Sequence, residues 1–213
     1  MKVFLVRHGE GENSRTNWQF PLTPLNEKGQ KQAQVLGNIP RFRDINQVLS
    51  SPWTRAQETA KIISQNLNKP LSVLDNLHER GQSSKIYGLS LSTPLAEQYS
   101  KDCFANRNDW NWKWDPEEES FVEVVRRAVE FKNYLINTYS QKSVLIVSHD
   151  VFLRCLMTSC ILGGGQDEES FKKVFWSLNL DNTGISLLIY REEIKNWKLW
   201  YINDYAHMSL VQS

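Results

Sequence analysis

Ser143-Val144-Leu145-Ile146-Val147, running into Ser148-His149-Asp150, is the stretch on which the fold turns. Four consecutive apolar residues, three of them β-branched, read as a short buried strand that ends where the polar residues begin. Phe152 to Leu162 follows as a helix, and Gly163-Gly164-Gly165 stops it.

The same alternation recurs outward from this point. Lys2 to Val6 is a β-branched and aromatic strand that gives way to Arg7-His8-Gly9. Gly11 to Pro24 is polar and irregular. Asn26, as N-cap, opens an amphipathic helix to about Gly37. Gln47 to Ser50 is a short strand leading into Ser51-Pro52. Trp53 to Leu67 has helical spacing, with Ala56, Ala60, Ile63 and Leu67 on one face. Leu71 to Leu74 is a strand, Glu118 to Tyr139 a long helix, and Gly184 to Tyr190 with Lys198 to Ile202 a closing pair of strands. Strand-helix-strand order predicts an α/β fold: a three-layer α/β/α sandwich around a mostly parallel sheet. The middle is different. Turn residues, a helix over Pro94 to Cys103 and the cluster Trp110, Trp112, Trp114 suggest a small cap insertion, roughly residues 83–118, in a single domain spanning 1–213.

Composition narrows the function classes. The chain has 213 residues, 40% hydrophobic and 23% charged, with a formal net charge of +1. These are ordinary globular values, and no Lys/Arg run suggests a nucleic-acid surface. No apolar stretch is long enough for a membrane span. Cys103, Cys155 and Cys160 cannot all pair and match no zinc spacing, so reduced thiols and a cytoplasmic location are expected. Nothing in the sequence indicates an oligomeric state.

In open α/β sheets, ligands collect beyond the carboxyl ends of the strands. Arg7-His8 and His149 each follow such an end, and Arg55 comes after a short turn. A neutral imidazole held in one tautomer is a competent nucleophile toward phosphorus, with Gly9 able to offer an amide that orients the ring. Guanidinium forks match the charge of a phosphoryl group in transfer, and Arg55 gains from the start of its helix. His149 can face His8 across the phosphate and donate to an oxygen. Glu79 is a candidate general acid if its surroundings raise its pKa, and Asp150 competes for that role.

Taken together, these segments resemble the histidine phosphatase superfamily. Leu5-Val6-Arg7-His8-Gly9-Glu10, Pro21 through Gln30, Ser50 through Ala60, Glu119-Ser120 with Arg127, Val147-Ser148-His149 and Asn182-Thr183-Gly184-Ile185 carry the resemblance over nearly the whole chain. It implies attack by His8, with Arg7, Arg55 and His149 on the phosphate oxygens. Glu79 then serves as acid and afterwards as base. It implies no metal and no cofactor, and a small-molecule phosphomonoester as substrate.

Four departures stand out. Gly11 occupies a place where many relatives carry Ser or Thr. Ser14 stands where many have Asn, with Asn13 adjacent, so Gly11, Asn13 and Ser14 are candidate phosphate binders through a shifted loop. Glu118 replaces a glycine, and Asp150 keeps the His-Asp donor of another branch in play. Arg80, beside Glu79, is a further candidate substrate ligand. The alternating tryptophans read either as a substrate lid or as packing. The leading expectation is a phosphatase; the alternatives are a phosphoglycerate-type mutase and a non-catalytic phospho-ligand binding module.

Overall fold

Val3 and Leu5 of the first strand turn to one side of a sheet and Phe4 and Val6 to the other, and all four are buried. That double burial requires helices on both faces. The computed structural model, which describes residues 1–163 and 167–210, supplies them. The elements run β1 (Lys2–Arg7), α1 (Glu27–Gly37), β2 (Gln47–Ser50), α2 (Thr54–Leu67), β3 (Leu71–Val73), α3 (Pro94–Ala105), α4 (Phe121–Tyr139), β4 (Ser143–Ser148), α5 (Asp150–Leu162), α6 (Glu168–Ser177), β5 (Ile185–Arg191) and β6 (Asn196–Asp204).

The sheet order is β3-β2-β4-β1-β5-β6. The first four strands are mutually parallel, and β5 and β6 close one edge antiparallel. On one face Leu36 of α1 and Ala56, Ala60 and Ile63 of α2 pack on Phe4, Val6, Val48, Leu145 and Val147. On the other, Ala128 and Phe131 of α4, Phe152 and Leu156 of α5 and Phe175 of α6 pack on Val3, Leu5, Leu49, Val144 and Ile146. This is the expected α/β sandwich with a mostly parallel sheet.

Element ends differ from expectation for local reasons. Helix α4 starts at Phe121 rather than Glu118, because Ser120 caps it and Glu123 returns the bond in a capping box. Helix α5 starts at Asp150, directly after β4. Helix α6 was not anticipated; Asp167 caps it. Gly163 ends α5 at φ 77°, while Gly164 and Gly165 of the expected stop lie outside the described residues. Among the described residues no helix is long and apolar enough to cross a membrane.

Candidate active site

Arg7 and Ser148 are paired at the carboxyl ends of β1 and β4, and one further bond, His8 N to Ser148 O at 3.0 Å, carries the pairing past the strands. His8 and His149 therefore leave neighbouring strand ends together, with ring centroids 4.8 Å apart. Arg55 reaches them from the first turn of α2, five residues beyond the end of β2.

His8 is buried, and its Nδ1 lies 2.7 Å from the Gly9 carbonyl. A carbonyl can only accept, so Nδ1 carries the hydrogen and Nε2 keeps the lone pair. Arg55 Nε donates to that lone pair at 2.9 Å. The ring is thus oriented by the carbonyl of Gly9, not by its amide as expected. The amide instead donates to Thr59 Oγ1 at 3.0 Å. Position 9 has no room for a side chain, since a Cβ would lie 2.6 Å from the Gly29 carbonyl oxygen. Burial first, then the charges of Arg55 and Arg7, hold the His8 pKa well below its ordinary value and keep the ring neutral.

His149 is fully buried. Arg55 Nη2 lies 3.2 Å from its Nδ1, and a guanidinium only donates, so Nε2 carries the hydrogen toward Ser51 Oγ at 2.8 Å. Burial, then the charge of Arg55, keeps this ring neutral too. Arg55 Nη1 donates to the Phe20 carbonyl at 3.0 Å. Burial lowers the Arg55 pKa to about 10, against the pull of the Glu79 carboxylate, so it remains a cation at neutral pH. Arg7 donates from Nη1 to the Leu180 carbonyl at 2.6 Å. Its Nε is buried without a hydrogen-bond partner among the described residues.

Glu79 does what the N-cap residue of α5 does not. His149 occupies that cap position and makes no side-chain cap. The Glu79 carboxylate accepts the Val151 and Phe152 amides at 3.1 Å each, and the Arg80 amide at 2.9 Å. Burial, then the neighbouring Asp150 charge, raises its pKa despite these three amides. Arg127, paired to Glu119 at 2.6 Å, donates to the carbonyls of Asn76, His78 and Glu79 and braces the segment that carries Glu79.

A cavity of about 270 Å³ joins Arg7, His8, Arg55 and Glu79 with Gly11 and Ser14. It does not include four other residues singled out from the sequence. His149 lies behind, with both ring nitrogens engaged. Asn13 is an exposed turn residue at φ 52°. Arg80 is turned away, because the buried Glu118 carboxylate takes its Nη2 at 3.2 Å and the Glu119 carbonyl its Nε at 2.7 Å. Asp150 pairs with Arg154 one turn along α5 at 2.9 Å. Glu118, which replaces a glycine of the family pattern, also accepts from Tyr99 Oη at 2.6 Å and the Trp114 amide at 3.0 Å. It is an anchor for the 83–118 segment.

Trp110 and Trp114 resolve as packing, and none of Trp110, Trp112 and Trp114 lines the cavity. Trp110 is 2% exposed among Phe121, Phe171 and Phe175. Trp114 meets Tyr99 edge-on and donates to Asp102 at 3.1 Å. The indoles at the cavity are Trp18 and Trp53 instead. Sequence reading also passed over Gln19, Gln82 and Asn182 in the cavity wall, and Asn182 Nδ2 donates to the His8 carbonyl at 2.9 Å. Asn182 could have been found, since it sits in the quoted Asn182-Thr183-Gly184 segment. Trp18 and Gln19 lie in an aperiodic loop and left no signal.

The sequence model of the histidine phosphatase superfamily (branch 1) matches residues 3–203. The chain belongs to this family. It is 28% identical to the Bacillus subtilis uncharacterized phosphatase PhoE over 97% of this chain and 96% of that one. It is equally 28% identical to a Yersinia enterocolitica protein named a probable phosphoglycerate mutase, GpmB, over 99% of this chain and 96% of the other. The structure of alpha-ribazole phosphatase from Shigella flexneri superposes with a TM-score of 0.77 at 26% identity, covering 96% of each chain. The resemblance read from the motifs holds, and with it the expected enzyme class.

Proposed function

We propose that the chain is a phosphatase that hydrolyses small-molecule phosphomonoesters through a phosphohistidine on His8. The observation that carries this reading is the neutral, Nδ1-protonated His8, whose unprotonated Nε2 accepts from Arg55 and whose ring lines a cavity shared with Arg7, Arg55 and Glu79. Nε2 attacks phosphorus while the bond to the leaving oxygen breaks, and protonated Glu79 gives that oxygen its proton. A water then attacks phosphorus, Glu79 takes a proton from it, and the P–N bond breaks to return neutral His8. Arg55 must leave the His8 lone pair for the phosphate oxygens, where Arg7 and Arg55 meet the charge of transfer. His149 orients Arg55 through Nδ1. Ser14 and the backbone at Gly11 complete the cradle, and residues 83–118 form the cap of a single domain.

Glu79 is preferred to Asp150 as donor because it lines the cavity and its pKa is raised, whereas Asp150 is tied to Arg154. Positive charge comes from the two arginines, so turnover proceeds with a chelator present and no cofactor. Free cysteines and a net charge of +1 support a cytoplasmic enzyme with no nucleic-acid partner. The test is a quench of the protein with p-nitrophenyl phosphate. An acid-labile, base-stable phosphoprotein should form and should be absent in His8→Ala, along with phosphate release; undiminished turnover by His8→Ala overturns the reading. The named Yersinia relative favours mutase activity as a second reading. Isomerisation of a phosphoglycerate faster than phosphate release would establish it.

A further inference from the structure

Beyond Arg7, Arg55 and Glu79 the cavity wall is uncharged, the buried His8 ring being neutral. Asn17, Gln19, Gln82 and Asn182 bring amides, Trp18 an indole and Leu91 an aliphatic side chain. Arg7 and Arg55 are the cations of that wall, and both are needed at the phosphoryl group. Three further cations on the same stretch of chain are committed to carboxylates: Arg80 to Glu118, Lys85 to Asp115, and Lys113 to Glu123. A leaving group carrying a carboxylate or a second phosphate would lose its water against neutral amides with no counter-charge, and close to the Glu79 carboxyl.

Hydrogen-bond chemistry points the same way. Trp18 Nε1, a donor, and Gln19 Oε1, an acceptor, are buried without partners among the described residues. The Gln19 amide is not simply reversed, because its Nε2 donates to the Glu12 carbonyl at 3.0 Å. The side-chain amides of the wall offer donors and acceptors together, which a hydroxyl matches, whereas a carboxylate or phosphate only accepts and would oppose the amide oxygens.

Resting on the phosphatase reading above, we infer that the leaving group is an uncharged, hydroxyl-bearing alcohol of the sugar or nucleoside kind, read by the amides of the wall and by Trp18. Glu118 contributes to this preference by withdrawing Arg80 from the site.

The test compares kcat/KM for hexose and pentose monophosphates and nucleoside monophosphates with that for 3-phosphoglycerate, phosphoserine and a sugar bisphosphate. p-Nitrophenyl phosphate is the control for phosphatase activity. The better ester of the neutral classes should exceed every charged one by at least about tenfold, equivalent to about 1.4 kcal/mol, and the two neutral arms tell sugar from nucleoside. Gln82→Arg should shrink that ratio by roughly tenfold by supplying the missing cation. Equal or better turnover of the charged esters, or a ratio unmoved by Gln82→Arg, overturns the inference while p-nitrophenyl phosphate turnover leaves the phosphatase reading standing. Absence of turnover of every ester, the control included, overturns both.

Discussion

Arg55 Nε donates to Nε2 of His8 across 2.9 Å, so a guanidinium covers the lone pair proposed to attack phosphorus. The same group is one of the causes that keep His8 neutral. Arg55→Met should therefore lower kcat by about 10²–10³-fold, the usual effect of removing one transition-state donor. It should also move the His8 pKa upward, which an NMR titration of the ring would record. A variant with full activity and an unmoved His8 titration would contradict the arrangement.

Glu79 is held by three backbone amides yet has a raised pKa, because burial and Asp150 outweigh them. As the acid, it must be protonated for the first step, so kcat/KM should fall as pH rises through a pKa above the ordinary 4.5. His8 must be neutral, which places the acidic limb well below 6.5. Glu79→Gln should cost about 10²–10⁴-fold in kcat and erase the alkaline limb. Asp150→Asn should retain the alkaline limb, shifted to lower pH by loss of the neighbouring charge; loss of the limb in that variant instead would transfer the role to Asp150.

His8 and His149 both have folded-state pKa values depressed well below 6.5. Their contribution to stability is complete above that pH and is lost as pH falls through the folded values, at up to about 1.4 kcal/mol per pH unit for each ring. Urea midpoints should drop between pH 7 and pH 5, and His149→Asn should flatten the slope. Glu79 acts in the opposite direction, since its raised pKa adds stability as pH falls toward 4.5. The histidine slope is therefore cleanest in a Glu79→Gln background.

Gly11 lacks the hydroxyl that many relatives carry, and Gln19 fills the space: a Cβ at position 11 would lie 2.6 Å from Gln19 Oε1. Gly11→Ser alone should displace the Gln19 side chain and reduce kcat/KM. Gly11→Ser combined with Gln19→Ala should recover part of that loss, giving a coupling of about 0.5–3 kcal/mol in a double-mutant cycle. Additive effects would show that the two positions do not share the space.

Trp110 is a core residue with no face on the cavity. Trp110→Ala should cost about 3–5 kcal/mol in denaturant unfolding and leave kcat unchanged at a temperature where the variant is folded. A selective loss of activity at full stability would restore the lid reading of this residue.

The sheet was legible because its strands are short apolar runs whose ends coincide with polar, chemistry-bearing residues, as at Val147-Ser148-His149 and Val6-Arg7-His8. The cluster of Arg7, His8 and Arg55 followed from that, since parallel strands deliver their carboxyl ends to one edge. What a linear reading missed was where each side chain is spent. Arg80 is adjacent to Glu79 in sequence, but the fully buried Glu118 carboxylate, 38 residues away, sets its direction. Asp150 follows His149, yet the helical turn hands it to Arg154. Trp18 and Gln19 reach the cavity from an aperiodic loop pinned by long-range bonds such as Trp18 N to the Leu89 carbonyl at 2.9 Å, and no local pattern announces such a bond.

The cap that Glu79 places on helix α5 ties the chemical cycle to the mechanics of the fold. A protonated carboxyl is a weak partner for the Val151 and Phe152 amides, and an ionised one is roughly twice as strong and also suits the positive end of the helix. On the proposed mechanism, once Glu79 has given up its proton the amino end of α5 would be gripped more firmly than before, and when the attacking water returns a proton the grip would relax. Each turnover of that proposed cycle would then have a tight half and a loose half. Amide exchange at Val151 and Phe152 should be slower with Glu79 ionised than with it protonated, and equal protection in both states would contradict this.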